Sequence, residues 1–305
     1  MKFMVECPVL SDVDNGLWLD PVSIVEYART AEEAGIDALS FTDHPAPSKK
    51  WLDGGGHETF DPFVALGFCA AATSRLQLMT NLTVVPYRNP LLLAKSMTSV
   101  DVLSNGRTIF TLGTGYLRSE FAALGVDFDE RNALFDEAVE VLRGIWSTDN
   151  FSYDGRHFKA IGQTIKPRPV SVPYPKLWLG GNSRVVLDRV ARWGDGWAPM
   201  LGGGEVLAKT TRTVAIGSDE QLAGMIRDLG DRLDANGRTL ADIDVLATSL
   251  SSSYRPGWPD SYLHTLHQLA ASGVTWTSVP VGHDSFHAAL DRMRQFGDEV
   301  IASTR

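Results

Sequence analysis

The sequence predicts an α/β protein of the (β/α)8 TIM barrel class, with an insertion between strands 4 and 5. Three observations carry this. Strand-like apolar runs alternate with amphipathic helical stretches from end to end, the pattern of parallel strands joined by helical crossovers. The alternation is completed eight times, the number that closes a barrel. At 305 residues, 44% of them hydrophobic and 21% charged, the chain is long enough for one such core, so a single domain over 1–305 is expected.

Taken in order, "KFMVECP" reads as the first strand, and Asp20 then caps a helix that opens on Pro21, buries Ile24, Ala28 and Ala31, and stops at Gly35. "DALSFT" is the second strand. The acid-or-amide-then-proline start recurs at Asp61-Pro62 and Asn89-Pro90, and the second of these opens a helix with Leu93, Met97, Val100 and Leu103 on one face. Between those two helices lies strand three, "LQLMTNLTVV"; "RTIFTLG" is strand four, followed by a helix carried by Phe135, Val139, Leu142 and Trp146. Residues 150–175, with "KPRPVSVPYP", hold too many prolines for a helix and read as the insertion. "KLWLGG" resumes as strand five, with a helix from Ser183 to Trp193, and "DGWAP" is strand six, followed by "LGGG" and a polar stretch. Ser218 and Gln221 form a capping-box candidate for the next helix. "DIDVLATSL" is strand seven, Pro259 to Ser272 a helix, "TWTSVP" strand eight, and Ser285 to Ser303 the closing helix.

Composition narrows the function. A formal net charge of -9 opposes binding to phosphate backbones, so no nucleic-acid partner is expected. No apolar run is long enough to cross a bilayer, and the start "MKFMVECPVL" lacks the features of a secretory signal, so no membrane partner and a cytoplasmic location are expected. Cys7 and Cys69 sit in apolar contexts that suit reduced core thiols. His264, His267, His283 and His287 lack the carboxylate or cysteine companions of a metal site, and no metal is expected. No nucleophile-elbow motif is present, which disfavours acyl transfer.

In a barrel of this class ligands meet the loops after the strands' carboxyl ends. Asp43 and His44 follow strand two directly, either as a proton-handling pair at the mouth or as a turn acid and a capping histidine before Pro45. Thr80 and Asn81 interrupt an otherwise apolar strand three, as contacts to a heterocycle or as a satisfied polar layer or bulge. "LGTGYLRSE" has part of a dinucleotide fingerprint, but Arg118 holds its third glycine position and no second wound domain accompanies it. Its glycines, Gly115 among them, suit close backbone approach to a ligand, with Tyr116 beside it. Gly180, Gly181, Asn182 and Ser183 join strand five to a helix start, either a phosphate-binding turn helped by Arg184, Lys166 and Arg168 or loop punctuation. "PVGHDS" is a competing phosphate site.

Together "FTDHP", "TNLTVVPYRNPLLLAKSMTSVDVLSNGR", "LGTGYLRSEFAALGVDF" and "PKLWLGGNSRVVLDRVARWGDGWAP" resemble, in order, the bacterial luciferase-like family, especially its coenzyme F420-dependent oxidoreductases. The resemblance is close over roughly residues 1 to 200 and looser beyond. It implies a (β/α)8 barrel, often homodimeric, that binds a deazaflavin or flavin at the strands' carboxyl ends. It places the ring against strands two to four, His44 facing its hydride-transferring carbon, with Asp43 a neighbouring ring contact. Asn81-Leu82 matches the family's non-proline cis peptide, and Gly180, Gly181, Asn182 and Ser183 its phosphate-binding turn. Tyr116 stands where sugar-phosphate dehydrogenases of the family carry a catalytic glutamate, so sugar-phosphate oxidation is not implied; Tyr116 is a second candidate for the proton. The implied function is F420-dependent hydride transfer with a small organic substrate, with the insertion and "KKWLDGGGH" covering the mouth. The alternatives are an FMN-dependent monooxygenase using O2 and a cofactor-free binding protein on the same barrel.

Overall fold

The computed structural model describes residues 1–202 and 213–305. The polar stretch that follows "LGGG" in the sequence falls mostly within 203–212, outside the described residues. Ten strands occur among the described residues: β1 (Lys2–Glu6), β2 (Ala38–Phe41), β3 (Gln77–Val84), β4 (Thr108–Gly113), β5 (Phe151–Asp154), β6 (Lys159–Gln163), β7 (Lys176–Gly180), β8 (Gly196–Ala198), β9 (Asp244–Val245) and β10 (Trp276–Ser278). Eight form one sheet in the order β10-β1-β2-β3-β4-β7-β8-β9, with parallel pairing in every register given by Cα partners. A parallel bridge from Leu246 to Trp276 and a hydrogen bond from Ala247 N–H to the Trp276 carbonyl (3.0 Å) join the two ends of that order. This is the (β/α)8 barrel class that the alternation predicts.

Chain contacts gather into two compact units, residues 1–40, 75–77 and 177–305, and residues 41–74 and 78–176. In the first, Phe3 of β1 packs edge-on against Phe296 at 5.4 Å, and so faces the helix layer. Strand alternation then turns Met4 and Glu6 to the opposite side, where Glu6 shares a row with Ser40 of β2. Trp178 and Trp276 meet edge to face at 5.4 Å, both fully buried. Gly196 makes room for this pair, since a Cβ there would stand 2.5 Å from the Trp178 ring.

The helix starts follow local chemistry. Asp20 accepts from Ser23 N–H, Asp61 from Phe63 and Val64 N–H, and Asn89 from Leu91 N–H, each followed by a proline at the first helical position, over Pro21–Glu33, Pro62–Ala72 and Pro90–Leu103. Ser183 and Ser218 cap Arg184–Trp193 and Asp219–Ala235 in the same way.

Three elements differ from the sequence expectation. The insertion contains an antiparallel hairpin, β5 with β6. It also hangs from a fully buried carboxylate, since Asp101 accepts from Val170 N–H (2.7 Å), Ser171 N–H (3.0 Å) and the Ser171 hydroxyl (2.6 Å). Strand seven shrinks to two ladder residues, which pair with Gly196 and Trp197 of the three-residue β8. The closing helix runs Phe286–Phe296 and then widens into a π turn over Gly297–Ile301. Only glycine fits where that turn begins, because a Cβ at Gly297 would lie 2.5 Å from the Ala34 carbonyl oxygen.

Candidate active site

β2 ends at Phe41, and Asp43 and His44 follow it as placed by the sequence. Asp43 is 3% exposed and its oxygens are committed: they accept from Val84 N–H (2.9 Å), Arg88 Nη1 (2.6 Å) and Arg88 Nη2 (2.8 Å). Arg88 also reaches the helix cap Asp61 at 3.3 Å. Asp43 therefore pins the end of β3. That strand breaks register between Thr80 and Thr83, so Asn81 and Leu82 stand off the ladder, and the peptide joining them is cis. Thr80 donates to the Thr111 carbonyl (3.1 Å), whereas the buried hydroxyls of Thr83 and Thr111 have no partner among the described residues, and the half-buried Asn81 stands beside them. Gly113 and Gly115 are required opposite this break, because Cβ atoms there would stand 2.5 Å from Leu82 and 2.6 Å from Val84.

The His44 ring is nearly buried, its side chain 9% exposed. Its Nδ1 lies 2.9 Å from Oε2 of Glu120, a fully buried acid on the short helix Arg118–Ala123. Glu120 also accepts from Ala46 N–H (3.1 Å) and the Tyr87 hydroxyl (3.0 Å). Burial by itself would raise the Glu120 carboxyl, but the hydrogen bond and charge of His44, with the Ala46 and Tyr87 donors, outweigh it and hold the group below its ordinary value. Around the imidazole stand Trp51 at 4.6 Å, His57 at 5.2 Å and Tyr116 at 5.8 Å between ring centroids. Burial and then the Glu120 charge push the Tyr116 phenol up, with a hydrogen bond to Trp51 acting the other way, so Tyr116 is neutral and able to donate. Trp51 belongs to a single-turn helix, Lys49–Asp53, and the glycines after it let the chain fold against the indole: a Cβ on Gly56 would lie 2.3 Å from that ring.

Trp51 and His57 belong to the "KKWLDGGGH" stretch expected to cover the mouth, whereas Glu120, Tyr87 and Arg88 were not singled out by sequence. Their signals were faint: Glu120 reads as a first-turn acid complementing a helix dipole, and Arg88 as a loop residue in "PYRNP".

In the other unit, Gly180 ends β7, Gly181 has φ +112°, and Ser183 caps the following helix. Asn182 is 1% exposed, and its side chain donates to the Met200 and Val214 carbonyls (both 2.7 Å) while accepting from Met200 N–H (2.8 Å). Its own N–H donates to the Thr213 hydroxyl (2.9 Å). Asn182 thus fixes the turn. Lys166 and Arg168, which sequence offered as added charge, are committed to Asp149 at 3.5 and 2.5 Å. The competing site at "PVGHDS" is closed by an acid, since Phe286 N–H at that helix start donates to the Asp14 carboxylate. Among the described residues no group of His, Cys, Asp and Glu could hold a metal ion, and no helix is long and apolar enough to cross a membrane.

Residues 1–253 match the luciferase-like monooxygenase family. The chain belongs to that family. Among its relatives is the F420-dependent glucose-6-phosphate dehydrogenase of Amycolatopsis mediterranei (strain U-32), 32% identical over 60% of this chain and 55% of that enzyme. Another is the FMNH(2)-dependent dimethylsulfone monooxygenase of Pseudomonas putida, 34% identical over 41% of this chain and 35% of that enzyme. The matched stretch spans less than two thirds of the length of either. Solved structures of the same fold include a monooxygenase from Streptomyces bottropensis, with TM-score 0.80 and 22% identity over 100% of both chains. The coenzyme F420-dependent tetrahydromethanopterin reductase of Methanopyrus kandleri aligns with TM-score 0.74 and 17% identity over 100% of this chain and 99% of that one.

Proposed function

We propose that this chain is an oxidoreductase that uses coenzyme F420 to transfer a hydride to or from a small organic substrate. The observation that carries the proposal is the break in β3, where Asn81 and Leu82 leave the ladder beside the buried hydroxyls of Thr83 and Thr111, which have no partner among the described residues. Such a spot fits the edge of a flat heterocycle that carries both donors and acceptors. Family membership and the F420-dependent relative point to the deazaflavin. When bound, the deazaflavin supplies a carbon that gives or takes a hydride.

Thr80, Asn81, Leu82 and Gly115 would hold the ring, with Asp43 keeping the bulge in shape through Val84 and Arg88. In the other unit, the turn of Gly180, Gly181 and Asn182 leads to the helix start at Ser183, where main-chain N–H groups suit a phosphate; the Gly181 N–H is itself taken by the Ala198 carbonyl at 3.2 Å, and the Asn182 side chain fixes the turn. His44 takes up or releases the proton that accompanies the hydride, and Tyr116 donates a hydrogen bond from a neutral phenol. The likeness to an FMNH(2)-dependent monooxygenase favours a second reading, in which the same residues hold FMN and the reaction consumes O2. The proposed partner is a second copy of the chain and the proposed location the cytoplasm; sedimentation at the mass of one chain would refute the dimer.

Titration with F420 and with FMN, followed by absorbance, tests the proposal. Saturable binding of F420 is expected, and anaerobic oxidation of its reduced form by an added electron-poor organic acceptor that takes up the hydride and a proton. Oxygen uptake with reduced FMN alone would replace the first reading by the second, and no binding of either would sink both. His44→Ala should keep much of the affinity and slow turnover by about 10²-fold or more; unchanged turnover removes His44 from the chemistry.

A further inference from the structure

We infer that Glu120 is the positioning residue that fixes the tautomer of His44, keeping Nδ1 protonated so that the ring's one exchangeable lone pair is on Nε2. The inference rests on the reading that His44 handles the proton of the reaction. An ionised carboxylate has lone pairs and no hydrogen to offer. Glu120 is fully buried, and three groups converge on it: Ala46 N–H on Oε1, and the Tyr87 hydroxyl and His44 Nδ1 on Oε2. The Ala46 donor cannot reverse. The Tyr87 hydroxyl lies 3.0 Å from the same oxygen as the imidazole, and its phenol is raised by burial first and then by the Glu120 charge, so it stays protonated. Donors of this number and geometry favour the charged acid, whose own position is below its ordinary range. Facing such an acceptor, Nδ1 must carry a hydrogen. The neutral ring then has its basic nitrogen at Nε2, turned away from Glu120, and the charged ring gives up its proton from that atom alone.

Among the described residues no hydrogen bond to Nδ1 competes with that of Glu120. The other groups against the ring are Trp51, His57 and Tyr116, met through ring faces and edges at 4.6 to 5.8 Å. The backbone of His44 is held separately, its N–H to the Thr59 hydroxyl (3.2 Å) and its carbonyl from the same hydroxyl (3.1 Å), so the loop keeps its path when the ring's partner is changed. Glutamine at 120 breaks the logic. With Ala46 N–H and the Tyr87 hydroxyl competing for a single carbonyl oxygen, its NH2 can face Nδ1, which must then accept.

The test is the ring nitrogen spectrum of the full chain labelled with ¹⁵N-histidine, without cofactor, recorded through the histidine pH range, with His44 assigned by its loss in His44→Ala. The wild-type neutral ring is expected to show a protonated Nδ1 and an unprotonated Nε2. In Glu120→Gln the Nε2 signal is expected to move toward the protonated range, whereas Tyr87→Phe, which leaves the carboxylate in place, should leave it where it is. A wild-type ring protonated at Nε2, or a tautomer that Glu120→Gln does not change, overturns the inference. So does a flip in Tyr87→Phe. The wild-type spectrum decides even if the Glu120 variant does not fold. Unchanged turnover in His44→Ala would instead remove the role of His44 while leaving the tautomer result standing.

Discussion

Replacing Arg88 by methionine should destabilise the region around the β3 break severely. In the wild type the Asp43 carboxylate, 3% exposed, is compensated by two guanidinium hydrogen bonds of 2.6 and 2.8 Å and by Val84 N–H at 2.9 Å. Methionine fills much of the volume but removes both charged donors, leaving a buried carboxylate with a single main-chain partner. Breaking a buried pair on one side costs about 3–5 kcal/mol. Asp43→Asn should cost less, about 1–3 kcal/mol, because the amide oxygen still accepts from Val84 and Arg88 keeps Asp61 at 3.3 Å. The double variant should fall short of the sum of the two, because once the acid is neutral the lost guanidinium no longer strands a charge; a coupling of about 1–3 kcal/mol is expected. Urea unfolding followed by tryptophan fluorescence gives the free energies. Hydrogen exchange over residues 77–88 locates the loss, since opening should begin at the bulge rather than globally. If Arg88→Met lies within about 0.5 kcal/mol of the wild type, or exchange over that segment does not rise, Asp43 and Arg88 are not what holds the break in place.

Two further outcomes follow from the first unit. Burial pushes the Glu6 carboxyl up, so its folded pKa exceeds the unfolded one; the stability linked to it is fully present below the unfolded value and is lost as pH rises through the folded value. Glu6→Gln should therefore melt close to the wild type in acid and above it in alkali, and equal melting temperatures at every pH would refute the assignment. Asn182→Ala strips partners from Met200 N–H and from the Met200 and Val214 carbonyls, so a loss of about 2–5 kcal/mol is expected in denaturation, with weaker F420 affinity in the absorbance titration. A variant of native stability would show that Asn182 does not hold the turn.

What the sequence made legible was local chemistry. Asp61-Pro62 and Asn89-Pro90 specify a cap and a first turn within four residues, and both helices begin there. The polar interruption at Thr80 and Asn81 was visible because an apolar strand surrounds it, and Asp43 and His44 because a buried strand ends just before them. Glu120 was invisible for the opposite reason: its meaning lies in a partner 76 residues away, and neither residue's neighbours encode that distance. Arg88 likewise acquires a role only when a 3-10 turn over Val85–Tyr87 folds it back on Asp43. The hairpin of β5 and β6 was hidden because its strands are short and mostly exposed, and because prolines dominate the stretch that follows.

The buried Asp101 carries a consequence for how this chain tolerates change. It suspends the far end of the insertion from a scaffold helix, and Arg168 adds a second clasp by donating to the Ile145 and Trp146 carbonyls at 2.6 and 2.8 Å. A third clasp holds the hairpin tip around Gly155, where the N–H groups of Arg156, His157 and Phe158 donate to the Glu137 carboxylate at 3.2, 2.9 and 3.3 Å. Diversification of such a protein can proceed by rewriting side chains between these clasps, provided Asp101, Arg168 and Glu137 are left alone.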